Sequence, residues 1–384
     1  MQSDYHVLAP GPVNLHPRVR EALALPMIHH RTPEFDAILK RSLGKLQRVF
    51  HTKESAYILT STGSGGMEAL LVNVLNPGDL VLGIDSGKFG ERWCEMAQTY
   101  GAQLFRMQTE WGHSIRVPEV AEFLQKHPET KIVMCQACET STGVAHPIRE
   151  LGELIHQYPG TLFLVDGITA LGAMHLPMDD WHIDGLVGGS QKAFMLPTGM
   201  SFVALSQKAW AVAEKATTPR YYFDLRKERK ANQNGETFFS SNVQLIRALE
   251  VALDLVFEKG WLQHLEEIAN RANFTRHFAP ALGLKLYAQA PSNSVTALRT
   301  PEGCDSSKIR GTLEKDFRFT IMGGQDQAKG KILRIGHMGD IQWSEMQQLF
   351  LALHETLTKA GFAPPVPRAQ LEMEMKAWVV HVAN

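Results

Sequence analysis

Lys192 stands in Gly188-Gly189-Ser190-Gln191-Lys192-Ala193-Phe194, directly after the apolar run Asp184-Gly185-Leu186-Val187. The paired glycines let the backbone approach a ligand closely, because no Cβ intervenes. An amine among Ala193, Phe194, Met195 and Leu196 is partly desolvated, which disfavours its ammonium form and makes the neutral nucleophile accessible. Asp166 closes a second apolar run, Thr161-Leu162-Phe163-Leu164-Val165, and is followed by Gly167-Ile168. A carboxylate at the tip of a buried strand needs a cationic partner, or its pKa rises. Upstream lies Ser61-Thr62-Gly63-Ser64-Gly65-Gly66, rich in glycine and hydroxyls. At a helix start such a loop offers free N–H groups and the positive end of the dipole to an anion. It lacks the Gly-Lys-Ser/Thr ending of a P-loop and the spacing of a dinucleotide motif, so a single phosphate monoester fits better than a nucleotide.

These groups need a rigid frame, and the pattern from Ala56 onward supplies one. Apolar strands are predicted at Tyr57–Thr60, Leu80–Ile84, Gln103–Met107, Lys131–Cys135, Thr161–Val165, Gly185–Gly188 and Ser201–Leu205. Between them fall amphipathic helices such as Met67–Val74, Phe89–Tyr100, Pro118–His127 and Ile148–Gln157. The expected fold class is therefore α/β: a mostly parallel sheet between helices, with ligands beyond the carboxyl ends of the strands. The polar stretch Arg220–Gly235 reads as irregular, and the helix Val243–Glu258 leads into a smaller α+β unit. We divide the chain into an arm (1–15), a large domain (16–258) and a small C-terminal domain (259–384). The arm, with Pro10, Pro12 and Pro17, reads as extended and lying on another surface, with a second subunit as one candidate. An anion cradle, a strand-end acid facing a protonated ring nitrogen and a strand-end lysine, in that order, describe a site for pyridoxal 5′-phosphate.

The same residues carry a resemblance. Pro10-Gly11-Pro12-Val13-Asn14-Leu15, His30-Arg31-Thr32-Pro33-Glu34-Phe35, Thr60–Ala69 and Glu139-Thr140-Ser141-Thr142-Gly143-Val144 resemble the class V aminotransferases of fold-type I. So do Val165-Asp166, Gly189-Ser190-Gln191-Lys192 and Leu333-Arg334-Ile335-Gly336-His337-Met338-Gly339, and the group most similar is the alanine–glyoxylate/serine–pyruvate one. The resemblance implies that Lys192 holds the cofactor covalently and moves the substrate's proton, while Asp166 keeps the ring nitrogen protonated. It implies a phosphate cradle of Thr62, Gly63 and Ser64 with help from Gln191. Phe89 is expected to stack on the ring beside Ile168, and Ser141 to lie near the ring hydroxyl. Arg334 would grip the substrate carboxylate, which suits its planar fork, and Gly11 would border the substrate. The segment Glu236-Thr237-Phe238-Phe239-Ser240-Ser241-Asn242 lacks the family's proline, but Thr237 and Ser240 retain hydroxyls that would reach a neighbour's phosphate in a homodimer.

The implied reaction moves an amino group from alanine or serine to glyoxylate or pyruvate. The alternatives are transamination of 2-aminoethylphosphonate or phosphoserine, lyase or desulfurase chemistry, and a non-catalytic subunit. Arg31, Arg220, Arg226 and Arg229 are the candidates to shape an anionic side-chain pocket. Cys304 is a loop cysteine without a recognisable desulfurase context, and Cys135 and Cys138 form a CxxC read as two semi-buried structural thiols. No metal site is expected from His29-His30. A net charge of −1 argues against nucleic acid or an anionic membrane as partner. No apolar run approaches a bilayer span, and Met1-Gln2-Ser3-Asp4 lacks the basic start of a secretory leader, so a cytoplasmic protein is expected.

Overall fold

In the computed structural model, which describes residues 5–383, the alternating runs after Ala56 form one seven-stranded sheet. The leader reading on Met1–Asp4 lies outside the described residues. The chain enters through β1 (His6–Val7), α1 (Pro17–Leu23) and α2 (Pro33–Phe50). Pro33 occupies the first helical position of α2, where its missing N–H is not needed, and Thr32 Oγ1 caps the Phe35 N–H at 3.3 Å. There follow β2 (Ala56–Leu59), α3 (Gly63–Val74), β3 (Leu80–Asp85), α4 (Lys88–Thr99), β4 (Gln103–Gln108), α5 (Val117–Lys126) and β5 (Ile132–Gln136). A short hairpin of β6 (Cys138–Glu139) and β7 (Val144–Ala145) precedes α6 (Ile148–Ile155), β8 (Leu162–Asp166), β9 (Gly185–Gly189) and β10 (Ser201–Leu205). Three helices, α7 (Gln207–Ala213), α8 (Leu225–Gln233) and α9 (Val243–Lys259), end this region.

The sheet order is β2-β10-β9-β8-β5-β3-β4, with β10 antiparallel to both neighbours and the remaining pairs parallel. The carboxyl ends of β3, β5, β8 and β9 therefore share one edge. Alternation along β8 shows the three layers: Phe163 and Val165 pack with Phe35, Leu151 and Leu249 on one face, and Leu162 and Leu164 pack with Leu70, Trp93 and Trp210 on the other.

A second core follows, built by α10 (Trp261–Phe278), β11 (Lys285–Leu286), β12 (Val295–Arg299), α11 (Ser306–Phe317) and β13 (Phe319–Thr320). It is completed by β14 (Met322–Gly323), β15 (Ile332–Gly336), α12 (Trp343–Lys359) and α13 (Arg368–Ala383). Its antiparallel sheet has the order β11-β12-β15-β14, and Phe274, Leu313, Leu333, Phe350 and Leu371 fill the space beneath. Leu8 belongs to this core, and β1 pairs in parallel with β13. The arm thus lies on the small unit of its own chain.

Two elements differ from expectation. Helix α3 begins at Gly63, four residues before Met67, because its first-turn glycines fit against the sheet edge: a Cβ at Gly66 would stand 2.7 Å from Ser201 Cβ and Val187 Cγ2. Tertiary packing overrides the poor helix propensity of glycine. Helix α8 occupies the stretch read as irregular. Asp224 Oδ1 caps the Arg226 N–H at 3.2 Å, and the buried Glu228 accepts from Asn232 Nδ2 at 2.8 Å and from the Phe238 N–H at 2.9 Å. Cys135 and Cys138 are fully buried, not semi-buried, and lie on β5 and β6. Among the described residues, no helix is long and apolar enough to cross a membrane.

Candidate active site

The turn after β9 is fastened on both sides of Lys192. Ser190 N–H donates to Met200 O at 3.0 Å, Ser190 Oγ donates to Pro197 O at 2.7 Å, and Leu196 N–H donates to Ser190 O at 3.1 Å. This turn holds Lys192 inward, 8% exposed, with Nζ donating to the Pro10 carbonyl at 2.5 Å. Burial lowers the pKa of the amine to about 8; nearby Cys138 and Asp166 oppose that shift, and Arg334 adds to it. The arm crosses close above: a Cβ at Gly11, where φ is +121°, would stand 2.5 Å from Lys192 Cδ and 2.7 Å from Nζ. Only glycine allows that crossing.

Asp166 ends β8 one strand away. Its Oδ1 accepts the Ile168 N–H at 2.9 Å, and burial pushes the carboxyl up to about 7, with Ile168 N–H, Lys192 and Arg92 opposing and Glu139 adding. Among the described residues it forms no ion pair. Gln136 lies directly across the β5–β8 ladder from Asp166, buried, with neither amide atom hydrogen-bonded. Ile168 packs on the cradle, since a Cβ at Gly63 would stand 2.7 Å from Ile168 Cδ1. Thr62 is the N-cap of α3 without a side-chain cap bond, and the first backbone bond of this turn is Gly66 N–H to Thr62 O at 3.2 Å. The N–H groups of the first turn therefore point outward without helical partners. Ser64 Oγ accepts from Arg92 Nη1 at 3.1 Å, and Gln191 Oε1 is buried without a partner.

Phe89, half-buried, lies in the first turn of α4. What holds that turn is Glu139, a residue to which the sequence reading gave no role. Glu139 Oε2 accepts the N–H groups of Phe89 at 3.1 Å and Gly90 at 3.0 Å, while Oε1 accepts Ser141 N–H at 3.0 Å and Ser141 Oγ at 2.6 Å. Ser141 Oγ also accepts the Lys88 N–H at 3.1 Å. The single hydroxyl proton of Ser141 is thus committed to Glu139, and toward a ligand Ser141 only accepts.

Arg334 reaches the same corner from β15. It is buried, with Nε donating to Gly323 O at 2.8 Å and Nη1 to Thr140 O at 2.9 Å, which leaves Nη2 for a ligand. Burial lowers its pKa to about 10, with Glu139 opposing.

Other candidates do not gather here. Thr237 Oγ1 is held within its own turn, at 2.6 Å from Phe239 O and against Ser241 Oγ, whereas Ser240 is exposed. Arg220 caps the carboxyl ends of α3 and α7 through Val72 O, Ala213 O and Ala216 O. Arg226 pairs with Asp224 at 2.9 Å, Arg229 lies over Trp210 at 4.6 Å, and Arg31 pairs with Glu236. Cys304 is buried in the small unit's turn before α11. Among the described residues no cluster of His, Cys, Asp and Glu could hold a metal ion.

The donor set fits pyridoxal 5′-phosphate. An outward-facing helix N-terminus with two hydroxyls suits its phosphate, a buried carboxyl without an ion pair suits its ring nitrogen, and the unpartnered Gln136 amide and Gln191 Oε1 border the same edge. A buried amine with a lowered pKa suits its carbonyl.

Comparison with known proteins agrees. The sequence matches the family described as "Aminotransferase class-V" over residues 19–333. It is 34% identical to the L-aspartate–glyoxylate aminotransferase of Paracoccus denitrificans, over 89% of this chain and 88% of that protein. It is 33% identical to the serine–glyoxylate aminotransferase of Methylorubrum extorquens, over 88% and 87%. Among solved structures, the ureidoglycine–glyoxylate aminotransferase of Bacillus subtilis superposes with a TM-score of 0.91 at 27% identity, covering 98% of each chain.

Proposed function

From the premise that the chain belongs to the class V aminotransferase family, we propose that it transfers the amino group of a small amino acid, alanine or serine, to glyoxylate or pyruvate. Lys192 would hold pyridoxal 5′-phosphate covalently, with Thr62, Gly63, Ser64 and Gln191 at its phosphate, Phe89 and Ile168 at its ring and Ser141 at its ring hydroxyl. When bound, the cofactor supplies an electron sink for the pair left behind by the departing α-proton. Asp166 would hold a proton on the ring nitrogen, because a buried carboxylate gains a cationic partner there. Once the substrate amine has displaced it, Lys192 Nζ, poised near pH 8 by burial, would take the substrate's α-proton and return it. Arg334 orients the substrate through its α-carboxylate.

The observation that carries this reading is the opposed pair of buried groups at one sheet edge, a carboxyl raised to about 7 and an amine lowered to about 8. The small, uncharged donor is supported by the arginines. Arg334 has a free edge for one carboxylate, while Arg31, Arg220, Arg226 and Arg229 are each engaged elsewhere. The glyoxylate acceptor is supported by both curated relatives. The reading includes a cytoplasmic homodimer in which the exposed Ser240, next in sequence to Phe239 that stacks on Tyr222, faces the neighbour's phosphate. Steady-state assays of amino donors against glyoxylate and pyruvate test it. Alanine and serine should exceed aspartate, phosphoserine and 2-aminoethylphosphonate in kcat/KM, and a preference for the anionic donors overturns the substrate assignment.

A further inference from the structure

We infer that Arg92 is an additional ligand of the cofactor's phosphate, supplied by α4 rather than by the cradle loop; this rests on the pyridoxal phosphate reading above. Arg92 follows Phe89 by three residues, so the two side chains share one face of α4. Its guanidinium lies 5.2 Å from the centroid of the Phe89 ring, and its Nη1 donates to Ser64 Oγ at 3.1 Å. One half-buried arginine thus spans from the expected ring-stacking residue to the cradle.

The electrostatics favour an anion between these groups, since the carboxyl that Arg92 acts on, Asp166, forms no ion pair with it. Ser64 sits in the first turn of α3, where outward N–H groups present the positive end of the helix dipole. A guanidinium held against that end is repelled unless a negative group intervenes. Neighbouring cations have carboxylate partners: Lys88 pairs with Glu91 and Asp326, and Arg106 pairs with Asp85 and Glu91. Among the described residues, Arg92 pairs with none. Because Ser64 Oγ accepts from Arg92, its own proton turns away from the guanidinium and is free to donate to a phosphate oxygen. A phosphate monoester carries nearly two negative charges at neutral pH and several acceptor oxygens, which matches one fork, one hydroxyl and a turn of N–H groups. Contact with the Phe89 face keeps the fork in place before the anion arrives.

The test compares two ligands that differ only in the phosphate. Apo-protein, as wild type, Arg92→Gln and Arg92→Lys, is titrated with pyridoxal 5′-phosphate and with pyridoxal, following tryptophan fluorescence and visible absorbance. Arg92→Gln should weaken pyridoxal 5′-phosphate by about 10- to 100-fold, the range for one lost charge-assisted hydrogen bond, and leave pyridoxal unchanged. Arg92→Lys, which keeps the charge without the fork, should fall between. Inorganic phosphate should compete with the cofactor in the wild type and compete less in Arg92→Gln. Equal weakening of both ligands, or an unchanged affinity for the phosphorylated one, overturns the assignment. Should Arg92→Gln fail to show a native melting transition, the Arg92→Lys comparison decides alone. Wild-type protein that binds neither ligand overturns the pyridoxal phosphate reading itself.

Discussion

Two buried carboxyls at the same sheet edge live in opposite circumstances. Glu139 receives four hydrogen bonds, from Phe89 N–H, Gly90 N–H, Ser141 N–H and Ser141 Oγ. Asp166 receives one, from Ile168 N–H. Burial raises both, but for Glu139 the four donors counteract it, whereas Asp166 is pushed up to about 7. A fully satisfied buried carboxylate is a fixed part of the frame. One left short of partners stores an unfavourable desolvation that a ligand can relieve. Glu139 thus positions the corner, whereas Asp166 keeps hydrogen-bonding capacity to spare.

The sharpest break acts on Asp166. On the proposed reading Asp166→Asn removes the charge that would stabilise a protonated ring nitrogen, so kcat should fall at least ~100-fold, about 2.7 kcal/mol at 1.4 kcal/mol per tenfold, by steady-state assay. The apo-protein should respond in the other direction. A carboxyl raised from 3.8 to about 7 in the fold contributes stability that is complete below pH 4 and lost as pH rises through 7. Apo Asp166→Asn should therefore melt above the wild type at pH 8, with the gap closing as pH falls toward 4. An apo gap independent of pH would mean that Asp166 is not the titrating group.

Glu139→Gln is the matching change at the satisfied site, with the opposite sign. An amide in place of the carboxylate turns N–H toward backbone N–H donors, so stability should drop by ~2–4 kcal/mol, from one or two buried donors left unpaired. Chemical denaturation of the apo-protein measures it, and a neutral or stabilising result removes the distinction drawn above. The smallest expected effect lies at Arg334, which hangs on the Glu139 corner through Thr140 O. Arg334→Lys should lower kcat/KM for amino acids by ~10- to 100-fold, about 1.5–3 kcal/mol at a charge-assisted contact. The affinity for pyridoxal 5′-phosphate should stay unchanged by titration. Loss of the cofactor instead would move Arg334 from the substrate to the phosphate.

The strands were legible because a parallel sheet covered on both faces demands near-continuous apolar runs, and Thr161–Val165 and Asp184–Val187 are such runs. The places of Asp166 at the end of β8 and of Lys192 just beyond β9 were legible because both follow those runs. What stayed hidden depends on distant contacts. The first turn of α3 was read as loop, since glycine disfavours helix until the sheet edge packs on it. Helix α8 has few apolar residues, Leu225 and Ala231, and is held by Asp224 and Glu228. Glu139 was quoted within its motif, yet its partners Phe89 and Gly90 lie some fifty residues earlier in the chain. Arg220 looked like a pocket candidate because nothing local shows that the ends of two helices surround it.

The arm links the two halves of the chain in time as well as in space. Pro10 O receives Lys192 Nζ, Leu8 O receives Gly336 N–H, and β1 pairs with β13. During synthesis the large sheet can form before the strand that anchors the arm has left the ribosome, because a strand made early waits for a partner in the last fifth of the sequence. Until then Gly11 is not held against Lys192, and the amine lacks the cover of the arm. The lysine is therefore covered late, and a chain ended before Phe319 lacks the strand that seats the arm over it.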